Sequence, residues 1–399
     1  MPAEQADSRF SWWVAGTAVA MGALSFGAVT SVPILLKPLS QDWRAGASTV
    51  SLVHTSAMFG AAIGSLVLGR MLDRVGFFAI GLFAAMATGL GLLLAASAQN
   101  LLVLHLLYGV LIGGIGQGAF FSPLTAAVSQ WFNRHRGIAI AFVACGQSVG
   151  GLVLPPLMRW GVDADGWRGT LAVYGLAAGI ALVACSFAFR RAPPQQVAPP
   201  EQSAGAALPH PPSRGGFLML GLCMALSNHA SFIVIAHLTA FGEERGFAPA
   251  AAAAAVSAML GVSLVSRLSV GQLSARWGSY NILLAMSVLL AIGTGILALA
   301  QGPIWIGSGA VAMGLAFGGY LPGYAILVRE LFPAAQAGRR ISEIYFFAFV
   351  AAGIGSWTGG WTRDFTSGYA VPFWIAAASA IAGAVMLLPC RSRLHRSIR

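Results

Sequence analysis

One arginine of this chain lies inside a long apolar stretch. Arg267 falls within residues 254–270, and no acidic residue occurs between Glu244 and Glu330 to neutralise it. A guanidinium stays charged at any accessible pH, and its planar set of N–H donors matches a carboxylate. Because a cation at the centre of a bilayer costs roughly 2.5 to 3.5 kcal/mol, such a residue usually faces a wet cavity and serves a ligand. The alternative is that its side chain extends along the helix to the nearer membrane surface.

Other side chains in apolar stretches are of types that could complete an anion site. Tyrosine hydroxyls and amide groups donate hydrogen bonds to a carboxylate, and Tyr320 and Tyr324, four residues apart, share one face of a helix. Phenylalanines would form an apolar wall for a short aliphatic tail. Each residue also has a simpler interpretation, as a packing residue or as a hydrogen-bond partner between helices. The candidate binding residues are Asn228, His229, Tyr320, Tyr324, Phe120, Phe121 and Phe346.

Two histidines of one apolar stretch are candidate proton carriers. His229 and His237 are eight residues apart, so they fall roughly on one helix face. Histidine changes its charge near physiological pH, and either side chain could therefore carry a coupling proton. A histidine that is hydrogen-bonded between helices is the alternative.

The composition indicates a membrane protein. Hydrophobic residues make up 57% of the 399 residues and charged residues only 9%, against about 25% charged in an ordinary soluble domain. The 23 Lys and Arg residues outnumber the 12 Asp and Glu residues, but they are scattered between apolar runs and form no patch for nucleic acid. Cysteines occur only in apolar runs, without metal-ligand or redox spacing. We therefore predict membrane lipid around the chain and no metal, cofactor or nucleic acid bound to it.

Twelve apolar runs have about the 20 residues that a membrane-spanning helix needs. They predict an all-α membrane protein with twelve transmembrane helices. The runs are residues 12–36, 47–68, 77–98, 101–129, 137–159, 167–189, 215–240, 248–270, 279–300, 303–328, 341–361 and 371–390.

The charges between these runs predict the orientation. An even number of spans places both termini on one side, which carries 16 Lys and Arg residues against six on the other side. The positive-inside rule then places both termini in the cytoplasm and the protein in the cell membrane. A proline-rich stretch, residues 190–214, separates residues 1–189 from residues 215–399. We predict a cytoplasmic linker between two six-helix halves.

The two halves contain a repeat. Residues 69–76 and residues 271–278 share the pattern Gly-x-x-x-x-Arg-x-Gly at an offset of 202 residues. Two similar halves are typical of a transporter whose substrate site lies between them near the membrane midplane. The same offset makes Ser65 the residue of the first half that is equivalent to Arg267. The fold itself therefore does not require an arginine at this position.

The sequence of residues 69–76, Gly-Arg-Met-Leu-Asp-Arg-Val-Gly, resembles the best-known motif of the major facilitator superfamily. The resemblance implies two pseudo-symmetric six-helix bundles and transport by alternating access. Glycines permit a tight turn there, although Phe77 and Phe78 replace the basic residues that usually follow. The residues predicted to control the conformational change are Gly69, Asp73, Arg74, Gly76, Arg134, Arg136 and Arg276.

Within that superfamily the chain is similar to the monocarboxylate and oxalate/formate transporter branch. The similarity rests on residues 10–14 (Phe-Ser-Trp-Trp-Val), residues 131–137 (Trp-Phe-Asn-Arg-His-Arg-Gly), residues 237–241 (His-Leu-Thr-Ala-Phe) and Arg267. In that branch the arginine of the eighth helix binds the carboxylate of the substrate. The resemblance implies the same role for Arg267.

Two departures from the branch bear on the substrate. Proton-coupled members often carry an acidic residue one helical turn before the arginine, where this chain has Ser263. The lysine that the oxalate carrier has in its eleventh helix has no counterpart in residues 345–356. A single cation in the cavity favours a monoanion over a dianion.

A glycine-rich segment of the fifth run, residues 146–156, resembles an antiporter motif without its usual proline. We interpret the segment as close helix packing followed by a break of the helix near Pro155.

Together these features predict a secondary transporter for a small organic anion, most simply a monocarboxylate. We expect it to act as a monomer, with protons as the candidate coupling ion. An efflux carrier for amphipathic compounds, in which Arg267 would tune a large apolar cavity, is the alternative within the superfamily. A membrane sensor that transports nothing is the alternative from another class. No pattern of nucleophile and base, metal ligands or phosphate loop indicates an enzyme.

Overall fold

The computed structural model describes residues 6–194, 214–332 and 334–395, with residue 73 and residues 334–338 and 390–395 described by their backbone alone. Within these ranges the chain forms helices joined by short turns. We number the helices α1 to α12. They are α1 (Arg9–Asp42), α2 and α3 (together Ala47–Ala96), α4 (Leu101–Ser129), α5 and α6 (together Arg136–Ser186), α7 (Arg214–Glu244), α8 (Pro249–Trp277), α9 (Ser279–Leu299), α10 (Pro303–Leu331), α11 (Ala334–Thr366) and α12 (Ala370–His395).

Two of the helical stretches turn at a glycine. Gly76, with φ +73°, separates α2 (47–75) from α3 (77–96), and Gly166, with φ +69°, separates α5 (136–165) from α6 (167–186). Glycine adopts positive φ without the strain that a Cβ would cause. In the described part of the chain, eleven helical stretches are long and apolar enough to span a membrane, and the longest, with 55 residues, is long enough to cross twice. The prediction of an all-α, twelve-helix membrane protein is confirmed.

The repeat found in the sequence is also present in the backbone. Gly278, which lies 202 residues after Gly76, separates α8 from α9 with φ +85°. The tight turns after the second and the eighth helix therefore have the same conformation.

The predicted linker lies largely outside the described residues, which omit 195–213. Before that gap, Phe187–Arg190 form a short 3₁₀ turn at the end of α6. The division into residues 1–189, 190–214 and 215–399 stays a prediction.

The predicted break of α5 near Pro155 is wrong. The helix continues through Pro155 and Pro156 and ends only at Gly166. The close packing is present, because a Cβ on Gly146 would lie 2.6 Å from the carbonyl oxygen of Val19 in α1. Contacts of this kind hold α5 against its neighbour. The helix therefore tolerates the loss of the backbone hydrogen bonds that its prolines cannot donate.

The fourth helix has an irregular centre. Residues Leu107–Gln117 are π-helical, and in this segment Gly109 and Gly114 touch the glycines Gly60 and Gly64 of α2 so closely that a Cβ would overlap carbonyl oxygens. A wide turn of this kind often occurs near functional sites.

The most extensive contacts between the two halves join α1 with α7, α2 with α11, and α5 with α8. The end of the bundle that contains Arg9, Gly76 and Gly278 is called the proximal end here. The opposite end, which contains Lys37 and Asp364, is called the distal end.

Candidate functional site

Arg267 lies in α8 at the contact between the halves. Its side chain is only 3% exposed, and it precedes the proximal end of α8 by ten residues, about 15 Å of helix. Nη1 donates to the carbonyl oxygen of Ala144 at 3.2 Å, and Nη2 donates to Oε1 of Gln147 at 3.3 Å. Both partners belong to α5 of the other half. The side chain therefore bridges the halves and does not extend to the membrane surface.

The charge of Arg267 has only neutral partners in the described part of the chain. No carboxylate there pairs with it, and its Nε–H has no acceptor. The centre of the guanidinium lies 5.4 Å from the ring centroid of Phe317 in α10, a distance at which the ring face attracts a cation. A buried cation without a counter-ion carries a large desolvation cost. An anion that reached this group would remove part of that cost.

A small cavity lies between the halves beside Arg267. Its volume is about 20 Å³, which is room for about one water molecule. Gln147 and Phe317, the contacts of Arg267, both form part of its wall. The rest of the wall is mainly aromatic and aliphatic. The lining residues are Phe121, Gln147, Asn228, Phe232, Phe317, Leu321, Tyr345, Ala348 and Phe349.

Asn228 and Phe121, two of the candidate binding residues, line this cavity. Asn228 donates from Nδ2 to the carbonyl oxygen of Met224 in its own helix at 3.2 Å. Phe121 of α4 packs edge-on against Tyr345 and Phe349 of α11, with ring centroids 5.2 and 5.1 Å apart. These aromatic contacts join the halves at the level of the cavity.

Phe120 and Phe346 are not in the wall of the cavity. Phe120 is 3% exposed and packs in the core of the first half with Leu124 and Trp131. The backbone of its neighbour Phe121 has φ −115° and ψ −89°, which interrupts the helix and turns the two rings to different sides. Phe346 is partly buried, with its ring centroid 6.5 Å from that of Phe347.

Tyr320 and Tyr324 are both fully buried in α10. The hydroxyl of Tyr320 donates to Oγ of Ser231 in α7 at 3.0 Å, and its ring centroid is 5.9 Å from that of Phe317. Tyr320 therefore shares Phe317 as a neighbour with Arg267. The ring of Tyr324 follows at 6.4 Å from Tyr320, one turn nearer the proximal end.

His229 and His237 lie apart from the cavity wall. The ring of His229 lies between Oγ of Ser379 at 3.0 Å and Oγ1 of Thr358 at 3.3 Å, within the second half. Nε2 of His237 is 2.8 Å from the carbonyl oxygen of Ser356 in α11. The structure thus does not bring His229 to Arg267, and both histidines contact α11.

The repeated proximal turns contain five of the residues predicted to control the conformational change. Gly76 forms the turn after α2, while Gly69 has open space around it. Arg74 and Arg276 are exposed at equivalent positions of the two halves. The side chain of Asp73 lies outside the described residues. The role of these residues in gating stays a prediction.

The remaining two, Arg134 and Arg136, lie where the chain enters α5, and Asp7 orders this loop. The carboxylate of Asp7 accepts the backbone N–H groups of residues 133–135 at 3.0 to 3.2 Å. Burial raises the pKa of Asp7, but these N–H donors outweigh that effect and hold the pKa below its usual range. Arg136 donates from Nε to the carbonyl oxygen of Ser129 at 2.9 Å and so ties the loop to the end of α4.

At the distal end, Asp364 of α11 caps α2 of the other half. Its Oδ1 accepts the N–H of Ala47 at 3.0 Å, and its Oδ2 accepts the N–H and the hydroxyl of Ser48 at 2.8 and 2.7 Å. The first N–H groups of a helix have no partner inside the helix, and Gly46 before them has no side chain to cap them. A carboxylate at this position is favourable for the helix dipole. This contact closes the distal end between the halves.

A second carboxylate closes the distal end beside it. The side chain of Glu243 in α7 is 5% exposed, and its Oε2 lies 2.7 Å from Nζ of Lys37 in α1. Its other oxygen lies 3.6 Å from Nη1 of Arg159 in α5. One residue of the second half thus pairs with two cations of the first half.

The sequence did not assign Phe317 or Asp364 to these contacts. It indicates a hydrogen bond between helices for Gln147, but not that Arg267 is the donor. A signal existed for Gln147, which is a polar residue in the glycine-rich segment 146–156. Phe317 is one of 23 phenylalanines, and nothing in its spacing distinguished it. Asp364 falls between the predicted runs 341–361 and 371–390, whereas the structure places it in α11.

A sequence profile of the Major Facilitator Superfamily matches residues 17–311 and 218–399 of the chain. The chain belongs to the Major Facilitator Superfamily. It is therefore an integral, multi-pass membrane transporter and not an enzyme, as predicted. Members of this superfamily are secondary transporters of small molecules.

Curated relatives within the superfamily extend over nearly the whole chain. Monocarboxylate transporter 13 of Bos taurus is 26% identical over 394 residues, which cover 97% of this chain and 90% of that protein. Monocarboxylate transporter 11 of Homo sapiens is 26% identical over 403 residues, which cover 97% and 84%. The MFS transporter asaE of Aspergillus flavus is 29% identical over 353 residues, which cover 85% and 77%. The predicted similarity to monocarboxylate transporters is confirmed.

Two solved structures have the same fold at low sequence identity. A bacterial homologue of the human lysosomal transporter Spinster, in an inward-facing and unoccupied conformation, superposes with a TM-score of 0.69 at 14% identity, covering 98% of both chains. The nucleoside transporter NupG superposes with a TM-score of 0.71 at 14% identity, covering 94% of this chain and 99% of NupG. These matches confirm the major facilitator fold.

Proposed function

We propose that this transporter moves a small organic monoanion, a monocarboxylate, across the cell membrane by alternating access. The observation that carries the proposal is the buried guanidinium of Arg267, which lies between the halves and is held by neutral acceptors. The names of the monocarboxylate transporters 11 and 13 support the same substrate class.

The chemistry of binding follows from these contacts. A carboxylate is a stronger acceptor for a guanidinium than a carbonyl or an amide oxygen, and it accepts two N–H groups at once. It would therefore replace Ala144 and Gln147 as the partner of Arg267. Phe121 and Phe317 lie beside that position and would contact the aliphatic tail. Among the other candidate donors, Asn228 lines the cavity and Tyr320 contacts Phe317. Their role in binding is part of the proposal.

Alternating access then requires the halves to separate at the distal end. The Asp364 and Glu243 contacts close that end, so we interpret this conformation as one that is closed on the distal side. With the termini in the cytoplasm, as the positive charges predict, the proximal side is the cytoplasmic one. Proton coupling through His229 or His237 and activity as a monomer remain predictions.

The test is uptake of labelled lactate, pyruvate and formate into proteoliposomes that contain the full chain. Arg267→Ala should lower uptake at least about thirtyfold, because truncating one partner of a buried charged contact costs about 2 to 5 kcal/mol. Arg267→Lys keeps the charge but loses the planar fork, so it should recover part of the activity. Ser65→Ala, at the repeat-equivalent position, is the matched control and should transport like the parent.

Two further substrate sets separate the alternatives. Dicarboxylates should be poor substrates, since the described part of the cavity offers one cation. Fluorescent amphipathic dyes should not be exported. If Arg267→Ala takes up monocarboxylates at the parent rate, or if the parent exports dyes and takes up no anion, the proposal is wrong.

A further inference from the structure

Two histidines are buried at the contact between the halves, on the distal side of the cavity. His54 of α2 and His237 of α7 are both 0% exposed, and they lie within electrostatic range of each other. Each is seven residues from the distal end of its helix, about 10 Å. The ring of His54 stacks on Phe232, with centroids 5.8 Å apart, and Phe232 lines the cavity beside Arg267.

The hydrogen-bonding capacity of His54 is unused in this conformation. In the described part of the chain, neither of its ring nitrogens has a partner, and Nδ1 of His237 also has none. Buried polar groups of a folded protein nearly always have partners, and an exception calls for an explanation. A phenylalanine would fill the same volume without burying two polar nitrogens. The closed packing alone therefore gives no reason for a histidine at position 54.

Helix α11 separates His54 from the distal surface. Thr55, the next residue, donates from Oγ1 to the carbonyl oxygen of Gly353 at 2.8 Å. Gly360 packs on the first turn of α2, where a Cβ would lie 2.6 Å from a carbonyl oxygen. Asp364 then caps the start of α2. Water from the distal side reaches His54 only when α2 moves away from α7 and α11.

A charged His54 would have no counter-ion in the closed packing. In the described distal parts of the helices around the pair, the titratable or charged groups are His237, Glu243 and Glu244 from α7, Arg363 and Asp364 from α11, Tyr369 before α12, Lys37 and Asp42 from α1, and His105 and Tyr108 from α4. Asp364 is engaged by the start of α2 and by Arg363, and Lys37 is engaged by Glu243. An imidazolium at position 54 would instead face a second histidine across the contact.

We propose that His54 is a proton-binding site of the transport cycle, neutral while the distal end is closed and protonated when that end opens to water. The inference rests on the proposed function in that it assumes alternating access. In the open state, the lone pair of the unprotonated ring nitrogen takes a proton from the distal solution. Closure returns that proton to the same solution. Acid on the distal side therefore favours the distal-open state.

The size of the effect follows from linkage. A water-exposed histidine has a pKa of about 6.5. If only the open state binds the proton, lowering the pH from 8 to 5.5 should raise the ratio of open to closed molecules about tenfold.

The experiment measures the opening directly and needs no substrate. Spin labels are placed on Thr49→Cys and Ala250→Cys, two exposed distal positions in different halves. The background is the full chain with Cys145, Cys185, Cys223 and Cys390 replaced by serine, in lipid nanodiscs. Pulsed electron resonance gives the distance distribution at pH 8 and pH 5.5. The long-distance population should grow about tenfold relative to the short one in the parent.

His54→Phe should abolish this response and keep the short distance at both pH values. His54→Gln, which keeps a polar side chain without titration, should behave in the same way if the phenylalanine variant does not fold. The matched control is His105→Phe, because His105 also has a buried Nδ1 without a partner but lies in α4 and not between the halves. It should respond like the parent.

A parent distribution that does not change with pH overturns the proposal, and so does a response that survives in both His54 variants. Because the readout is a distance, these results are separate from the uptake assay. Loss of anion uptake in Arg267→Ala tests the substrate, whereas loss of the pH response tests His54.

Discussion

The hydroxyls of Ser148 in α5 and Ser263 in α8 lie 2.7 Å apart across the contact between the two halves. Ser263 is one helical turn before Arg267, at the place where proton-coupled relatives often carry an acidic residue. Here a neutral hydrogen bond between the halves occupies that place, so the described neighbours of Arg267 include no carboxylate.

We expect Ser263→Asp to inhibit anion uptake. The new carboxylate would pair with Arg267 and compete with the substrate, and the pairing itself lowers the pKa of an aspartate by about 1 to 3 units. Uptake into proteoliposomes should therefore fall about tenfold or more at pH 7.5 and stay low at pH 5.5. Ser263→Asn, of equal size and without charge, is the control. Equal uptake by the Asp and Asn variants at pH 7.5 would show that position 263 does not face Arg267 during transport.

The neighbouring residues Phe120 and Phe121 should differ in what their truncation does. Phe121→Leu removes the edge-on contacts with Tyr345 and Phe349 and enlarges the cavity, so longer monocarboxylates should gain uptake relative to lactate by several-fold. Phe120→Leu shortens a core side chain and should lower the melting temperature of the purified protein, since such truncations cost about 1 to 3 kcal/mol. It should leave the preference among substrates unchanged. If Phe120→Leu changes the preference among substrates and Phe121→Leu does not, the assignment of Phe121 to the cavity and of Phe120 to the core is wrong.

The cap that Asp364 provides for α2 should favour the closed distal end. Asp364→Asn replaces charge-assisted hydrogen bonds by weaker neutral ones and should cost the closed state about 1 to 3 kcal/mol. The distal-open population, measured by the label pair at positions 49 and 250, should rise at least about fivefold at pH 8. Asp42→Asn is the matched control, because Asp42 contacts Trp167 and Arg168 of its own half. An equal rise in both variants would mean that the cap is not specific to the closed state.

Glu243 should act on the same equilibrium independently of Asp364. Glu243→Gln leaves Lys37 and Arg159 without their common partner, so it should also raise the distal-open population. Because the two carboxylates contact different helices, the double variant should show the sum of the two free-energy changes within about 0.5 kcal/mol. A double variant no more open than either single one would indicate that the two contacts break in one step.

The loop before α5 should depend on Asp7. At pH 7 the carboxylate is ionised, because its pKa is held below the ordinary value of 3.8. Its contribution to the stability of the loop is therefore fully present above that pH value. The contribution is lost only as the pH falls further. Asp7→Asn should therefore increase hydrogen exchange of the backbone amides of residues 133–135 several-fold at pH 7. In the parent, protection corrected for intrinsic exchange should be constant between pH 5 and pH 8. A parent loop that loses protection in that range would contradict the assignment to Asp7.

Much of the fold followed from the sequence because the bilayer imposes strong local requirements. A run of about 20 apolar residues has to be a helix in lipid, and the repeat placed Gly76 and Gly278 in matching turns. The π-helical segment of α4 could not be foreseen, since it accompanies glycine contacts with α2 that depend on tertiary packing. The sequence also overstated the effect of Pro155, because the packing of α5 on its neighbours compensates for the missing hydrogen bond.

The surroundings of Arg267 were harder to foresee than its burial. The lack of an acidic residue in residues 245–329 indicated a cation without a local partner. Its actual partners, Ala144 and Gln147, belong to the other half, and the register of α5 against α8 is not visible in either helix alone. Phe120 and Phe121 were indistinguishable for a similar reason, because a break in the backbone between them decides which ring faces the cavity. The ligand of Arg267 stays a prediction until uptake is measured.

The hydrogen bonds of Arg267 to α5 have a consequence for the return step of the cycle. They join the two halves, so an unloaded carrier has to break them with nothing in exchange when it changes conformation. In a carrier that has bound a carboxylate, those N–H groups already donate to the substrate. Its change of conformation then breaks no hydrogen bond between Arg267 and α5. Anion on the far side of the membrane should therefore speed the return, and exchange of one anion for another should outpace net movement in one direction.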